Sequence, residues 1–129
     1  MMQEITAEEI KKADIYLKSY IYNGKLLRLD KYQREYFRDE QAIEIESLGE
    51  VPLARARMFA VRHLINSLPN SDEKLFLYYH YIKGQAVERC ADLFCTSRSS
   101  AFRMKKRALT MVAEVMRKAD GIDNGAAVC

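Results

Sequence analysis

The sequence predicts an all-α protein, and three features favour that fold class. Apolar residues recur at spacings of three and four along most of the chain, as amphipathic helices require. Helix-capping residues precede these segments, and Gly or Pro residues separate them. With 49% hydrophobic residues among 129, the chain can bury one core. We expect a helical region and linker over residues 1–50, a helical domain over 51–118 and a flexible tail over 119–129.

The first predicted helix begins near residue 7, because Thr6 and Glu9 form a capping box. The Asn-Gly pair at 23–24 tolerates left-handed dihedral angles, so the sequence favours a break or kink there. The alternative is one long helix to about residue 39, in which the glycine lets another helix pack closely. This half also carries a surplus of aromatic residues, which allows a homodimer through the N-terminal helices. They are Tyr16, Tyr20, Tyr22, Tyr32, Tyr36 and Phe37.

Two further helices are predicted before Gly84. Residues 41–52 are acidic, contain Gly and Pro, and are typical of a linker. A helix over 53–68 follows, and Pro69 ends it. Ser71 then caps a third helix over 72–82, whose first turn is acidic, as the helix dipole favours. The buried stripe expected for this third helix consists of Leu75, Phe76, Tyr79 and Ile82.

The stretch from Gly84 to Leu109 predicts a helix-turn-helix. Its first helix has an inward face at helical spacing, formed by Val87, Cys90, Ala91 and Phe94. Two residues, 95 and 96, suffice for a tight turn, and Ser97 is a good N-cap for the second helix. The inward face of that second helix, predicted over Ser97–Met116, consists of Ala101, Met104, Ala108, Met111, Val112 and Val115.

The opposite face of the second helix is basic, which suits a helix lying in a DNA groove. Arg can bond a guanine edge in two places, Ser can donate or accept, and Phe can touch a thymine methyl group. Lys105, Arg107 and the free N–H groups at the helix start are better placed for phosphates. The alternative is a basic helix that is merely solvated. The candidate DNA-binding residues are Arg98, Ser99, Ser100, Phe102, Arg103, Lys105, Lys106 and Arg107.

The segment from Tyr81 to Leu109 resembles region 4 of sigma-70-type factors, as found in small phage-encoded transcriptional regulators. The matching positions are Tyr81, Gly84, Glu88, Ala91, Ser97, Ser100, Ala108 and Leu109. The departures from the pattern are Cys90 for Ile, Phe94 for Leu, Thr96 for an apolar turn residue and Ala101 for Val. The resemblance implies a transcriptional regulator of phage or prophage type that binds double-stranded DNA sequence-specifically, with RNA polymerase as a further partner.

Charge supports a polyanion partner for one end of the chain only. The net charge is +3, yet residues 1–50 hold 8 Lys/Arg against 11 Asp/Glu, whereas residues 97–129 hold 7 against 3. A concentration of positive charge on one element is what a nucleic-acid binder needs. The remaining alternative is an α-helical adaptor, or a phage assembly or packaging protein, that uses its helical domain for protein contacts.

Nothing in the sequence motivates an enzyme, a cofactor or a metal site. His80, Cys90 and Cys95 lack the usual spacing of zinc ligands, and no phosphate loop or catalytic triad pattern appears. Three cysteines are an odd number without a disulfide-scaffold spacing. The N-terminus has no apolar signal region, and no run of about 18 apolar residues could span a membrane. We therefore expect a reduced, cytoplasmic protein that is not an enzyme.

Overall fold

The computed structural model describes residues 4–36 and 50–128, with side chains for 4–35 and 51–119. Within these ranges the chain is helical and has no strand, so the all-α prediction is confirmed. A π-helical segment, Tyr78–Ile82, directly follows the third of five α-helices. The α-helices are α1 (Ala7–Tyr36), α2 (Glu50–Ser67), α3 (Asp72–Leu77), α4 (Val87–Leu93) and α5 (Arg98–Val128).

Helix α1 is continuous, so the predicted break near Gly24 is wrong. The capping box forms as expected: the Glu9 amide donates to Thr6 Oγ1 at 3.1 Å, and the Thr6 amide donates to Glu9 Oε1 at 3.1 Å. The Asn23 side chain is buried and donates to the Ser19 carbonyl at 2.9 Å within the same helix. A Cβ atom at Gly24 would lie 3.5 Å from the Met58 side chain of α2. Packing against α2 therefore overrides the helix-breaking tendency, as the single-helix alternative expected.

Helix α2 begins at Glu50, three residues before the predicted start. Pro52 lies in its first turn. Backbone N–H groups in the first turn have no acceptor within the helix, so a proline there costs no intrahelical hydrogen bond. The rest of the predicted linker, residues 41–49, lies outside the described residues. Ala54, Val61 and Ile65 are buried, and they carry the apolar face of α2 into the core.

The third predicted helix changes its winding halfway along. The Ser71 cap is present, with the Lys74 amide donating to Ser71 Oγ at 3.3 Å. From Tyr78 the bonding becomes π-helical, and the Lys83 amide donates to the Tyr78 carbonyl at 3.0 Å. A π-turn holds an extra residue, which rotates the following side chains relative to an α-helix. The buried residues are Phe76, Leu77 and Tyr81, and the predicted inward position of Leu75, which precedes the π-turn, is wrong because that side chain is exposed.

One hydrophobic core joins all five helices. Ala13 and Leu17 of α1 belong to the same cluster as Val61 of α2 and Val112 of α5. The first half of α1 is thus part of the core on which the C-terminal helices rest, although the predicted boundary between residues 50 and 51 stays a prediction. Helix α5 passes the predicted end at residue 116 and continues to Val128, so its backbone is helical where the sequence predicted a flexible tail.

Candidate nucleic-acid interface

The turn between α4 and α5 is held by backbone hydrogen bonds at the end of α4. The Thr96 amide donates to the Ala91 carbonyl at 2.9 Å, and the Cys95 amide donates to the Asp92 carbonyl at 3.2 Å. Cys95 has a φ of +52°, so these bonds form a Schellman motif with a cysteine where glycine is usual. The motif satisfies the last carbonyl groups of α4 and fixes the direction in which α5 leaves.

Ser97 caps α5 as the sequence predicted. The Ser100 amide donates to Ser97 Oγ at 3.1 Å, and the two hydroxyl groups bond each other at 3.0 Å. Arg103 Nη2 also donates to Ser100 Oγ at 3.1 Å. Ser100 is half-buried, and its hydroxyl group joins the cap to Arg103. Ser100, one of the predicted DNA-binding residues, therefore lies at the inner edge of the basic face of α5 and not in its most exposed part.

The first three turns of α5 have two chemically different faces. Ala101, Met104 and Ala108 are buried against the body of the protein. On the other side lies the exposed α5 face, which comprises Arg98, Ser99, Phe102, Arg103, Lys106 and Arg107. Six of the eight predicted DNA-binding residues are thus brought together on one accessible surface that combines four cations, a hydroxyl group and an aromatic ring.

Two arginines on this face pair with acids of neighbouring helices. Arg98 Nη2 lies 3.0 Å from Glu88 Oε1, and Arg107 Nε lies 3.1 Å from Glu73 Oε1. Both arginine side chains are more than half exposed, and such pairs contribute only about 0–1 kcal/mol each. The sequence does not predict either acid as a partner, because the pairs join residues brought close only by the tertiary fold.

Arg103 is the cation at the centre of the exposed α5 face. Within the described part of the chain, neither Arg103 nor Lys106 forms an ion pair with an acid. The Arg98 guanidinium stacks on the Phe102 ring at 5.6 Å from its centroid, which draws it towards the same surface. Among the described residues, Arg103 and Lys106 thus have no acidic partner, while Arg98 and Arg107 flank them.

Lys105 borders the exposed α5 face and is less exposed than the residues of that face. It is half-buried, and its positive charge acts on Asp14 of α1 and on His80 of the π-helical segment. Burial lowers the pKa of His80, so the ring is neutral near pH 7 and its Nδ1 donates to the Gln85 carbonyl at 2.6 Å. The phosphate contact predicted for Lys105 stays a prediction.

Contacts just before its start and about two-thirds of the way along position α5 on the rest of the protein. Under the turn, the Phe94 ring packs against Phe76 and Tyr79, with centroids 6.5 and 6.4 Å apart. Further along, Arg117 Nε donates to Glu9 Oε2 at 2.8 Å, which joins α5 to the start of α1. The Arg117 guanidinium lowers the pKa of Glu9 to about 2. The exposed α5 face is therefore presented by a helix that is fixed at two places.

Neither a metal site nor a membrane helix is found in the described ranges. No group of three or more His, Cys, Asp and Glu side chains there is arranged to hold a metal ion. Cys90 is buried, and burial raises the pKa of its thiol, whereas Cys95 is exposed in the turn. None of the helices in residues 4–36 and 50–128 is both long and apolar enough to cross a membrane.

No protein-family model, curated protein or solved structure matches this chain. The resemblance to region 4 of sigma-70-type factors therefore rests only on the sequence pattern from Tyr81 to Leu109. In the structure, Tyr81, Ala91 and Ala108 of that pattern are buried, and Ser97 is the N-cap of α5.

Proposed function

We propose that the protein is a sequence-specific regulator of transcription that binds double-stranded DNA, with the first turns of α5 in the major groove. The observation that carries this proposal is the exposed α5 face around Arg103, backed by an apolar face that is buried in the core. An α-helix of this width fits the major groove, where every base pair presents a distinct pattern of donors and acceptors. The same helix begins at a capped end whose first N–H groups favour an anion.

The side chains of the exposed α5 face divide into two roles. Arg103, Ser99 and Phe102 lie near the helix start and can reach base edges: Arg bonds guanine O6 and N7, Ser donates or accepts, and Phe contacts the thymine methyl group. Lys106, Arg98 and Arg107 suit phosphate oxygens, which set the position and orientation of the helix on the duplex. Base contacts give specificity, and phosphate contacts give most of the affinity.

The ion pairs of Arg98 and Arg107 are compatible with phosphate binding. Each guanidinium is exposed and pairs with the carboxylate of one neighbouring residue. A phosphate can replace or share such a weak surface pair at small cost.

Electrophoretic mobility shifts on duplex DNA at rising salt test the proposal. Duplexes that bind are first selected from a random pool with the full chain. For the wild type, the logarithm of the binding constant should fall linearly with the logarithm of the salt concentration. The slope should correspond to several phosphate contacts, because each contact releases about 0.9 counterions. Arg103→Ala should bind the selected duplex about 10- to 100-fold more weakly.

The matched control is Arg57→Ala, which removes an exposed arginine and the same charge from α2. This variant should bind like the wild type, within about threefold. Equal weakening by both substitutions would indicate a general charge effect and no role for the exposed α5 face. A protein complex that forms regardless of added DNA would instead favour the adaptor or phage assembly alternative. RNA polymerase stays a predicted partner of the regulator.

A further inference from the structure

The outward side of α1 carries apolar side chains that no other part of the described chain covers. Ile15, Tyr22 and Leu29 are 57%, 62% and 51% exposed. They repeat every seven residues and define the outer stripe of α1. A surface helix ordinarily presents polar residues to water and only one apolar face to the core. Helix α1 already buries Ala13 and Leu17 on its other side, so it has two apolar faces.

Lysines follow the outer stripe with the same period. Lys11, Lys18 and Lys25 are exposed and lie along one flank of the stripe, about 40° around the helix from it. Between Glu9 and Glu35 the helix has two acids, and only Asp14 pairs with one of these lysines. Asp14 accepts a hydrogen bond from Tyr81 and pairs with Lys18 at 2.8 Å, and Asp30 is buried.

This charge pattern disfavours a second copy of the chain as the occupant of the stripe. In an antiparallel pair of α1 helices, the two lysine lines would face each other. If Ile15 and Tyr22 are taken as the first positions of two heptads, Lys18 and Lys25 are the fourth positions. In a parallel pair in register, each of these lysines would face the same lysine of the other copy. Like charges placed directly opposite are destabilising in both orientations. Apolar residues every seven positions with a cationic flank instead complement a helix that has an apolar seam and acidic flanks.

We propose that the outer stripe of α1 is a docking site for an acidic amphipathic helix of a partner protein. The stripe from Ile15 to Leu29 spans two heptads, or about 21 Å at 1.5 Å per residue. The partner helix contributes leucine-type side chains between Ile15, Tyr22 and Leu29 and carboxylates opposite the lysines. This interaction is separate from the DNA contact proposed for α5, because it uses a different helix and different side chains.

A synthetic peptide tests this docking directly. The probe is a fluorescently labelled peptide of four heptads, with leucine at the first and fourth positions and glutamate at the two flanking positions of each heptad. Its binding to the full chain is followed by fluorescence anisotropy. The control peptide has lysine in place of every glutamate. The glutamate peptide should bind at least about tenfold more tightly than the lysine peptide.

Three variants locate the site. Tyr22→Ser should weaken binding of the glutamate peptide about tenfold, whereas Phe59→Ser, which removes an equally exposed aromatic residue from α2, should leave it unchanged. Lys11→Glu combined with Lys25→Glu should invert the preference, so that the lysine peptide binds more tightly. This inversion is a gain of binding, which a misfolded variant could not produce. Arg103→Ala should not alter peptide binding, so failure here and failure of the DNA proposal are distinguishable.

Other occupants of the stripe would give different results. Equal binding of both peptides, or no change with the charge-reversed variant, would overturn the proposal. Sedimentation that shows a dimer of the full chain, lost in Tyr22→Ser, would assign the stripe to a second copy. Loss of duplex DNA or anionic vesicle binding in the charge-reversed variant, without peptide binding by the wild type, would assign the lysines to a nucleic acid or a lipid surface.

Discussion

Replacing Tyr81 with Phe tests how the π-helical segment is joined to α1. The Tyr81 side chain is almost fully buried, and its hydroxyl group donates to Asp14 Oδ1 at 2.5 Å. Burial, together with this hydrogen bond, raises the pKa of Tyr81 above its ordinary value, so the hydroxyl group remains the donor. Tyr81→Phe removes one oxygen atom and keeps the ring, and therefore leaves the packing of the core almost unchanged.

The expected loss of stability follows from the surroundings of Asp14. A hydrogen bond to a charged group contributes about 1.5–3 kcal/mol, and its loss costs most when the remaining partner is buried. The Asp14 side chain is 20% exposed and keeps Lys18 at 2.8 Å, so water and Lys18 compensate in part. We expect Tyr81→Phe to lower the free energy of unfolding by about 1.5 kcal/mol, at the low end of that range.

Urea denaturation followed by circular dichroism at pH 7 measures this effect. The matched control is Tyr22→Phe, which removes a hydroxyl group from an exposed ring and should change stability by less than about 0.5 kcal/mol. In a double-mutant cycle with Asp14→Ala, the two changes should be coupled by about 1 kcal/mol. Equal effects of Tyr81→Phe and Tyr22→Phe, or strictly additive effects in the cycle, would refute this account of the contact.

The same contact makes a prediction about pH. Burial raises the pKa of Asp14, but hydrogen bonds from Lys18 and Tyr81 outweigh it, so the pKa lies below the ordinary value of 3.8. A carboxyl group with a lowered pKa stabilises the folded state fully above its ordinary pKa and less as the pH falls. The difference in stability between the wild type and Tyr81→Phe should therefore be constant near pH 7 and shrink below about pH 4.

Three further predictions concern other single residues. Cys95→Gly should raise the free energy of unfolding by about 1 kcal/mol in the same assay, because φ of +52° suits glycine; destabilisation would contradict the assigned turn. Gly84→Ala should lower it by about 1–2 kcal/mol through its φ of +73°, since the new Cβ would meet Ile21 only at 3.5 Å; a neutral result would argue against that backbone conformation. Because Arg117 lowers the pKa of Glu9 from 4.5 to about 2, the wild type should lose stability as the pH falls through this window and Glu9→Gln should lose less; parallel pH profiles would exclude the ion pair as the cause.

The elements that the sequence predicted well are those whose signals are local. The Thr6–Glu9 capping box, the Ser71 cap and the Ser97 cap each depend on residues within one turn, and all three form. The inward faces of α4 and α5 likewise follow from spacing, with Cys90 and Ala101 buried as expected. Most of the predicted DNA-binding residues share one exposed surface for the same reason, since helical periodicity alone puts them together.

The features that the sequence did not predict depend on tertiary contacts or on unusual backbone geometry. The helix continues through Gly24 because Met58 of α2 packs there. The spacing of residues within α1 cannot predict which side chain of another helix will pack against it. The π-turn after Leu77 shifts the register of Tyr81 by adding one residue to a turn, which periodic patterns do not anticipate. The pairing of Arg107 with Glu73 joins residues 34 apart in the chain, and it likewise needs the folded structure.

Methylation interference on a selected duplex tests the central claim, that α5 enters the major groove. Dimethyl sulfate methylates guanine at N7 in the major groove and adenine at N3 in the minor groove, and both positions are hydrogen-bond acceptors that a protein can contact. The proposal predicts that methylation at a small cluster of guanines blocks binding, that adenine methylation does not, and that Arg103→Ala weakens the guanine effect. Binding that is insensitive to guanine methylation, or blocked only by adenine methylation, would contradict the placement of α5 in the major groove.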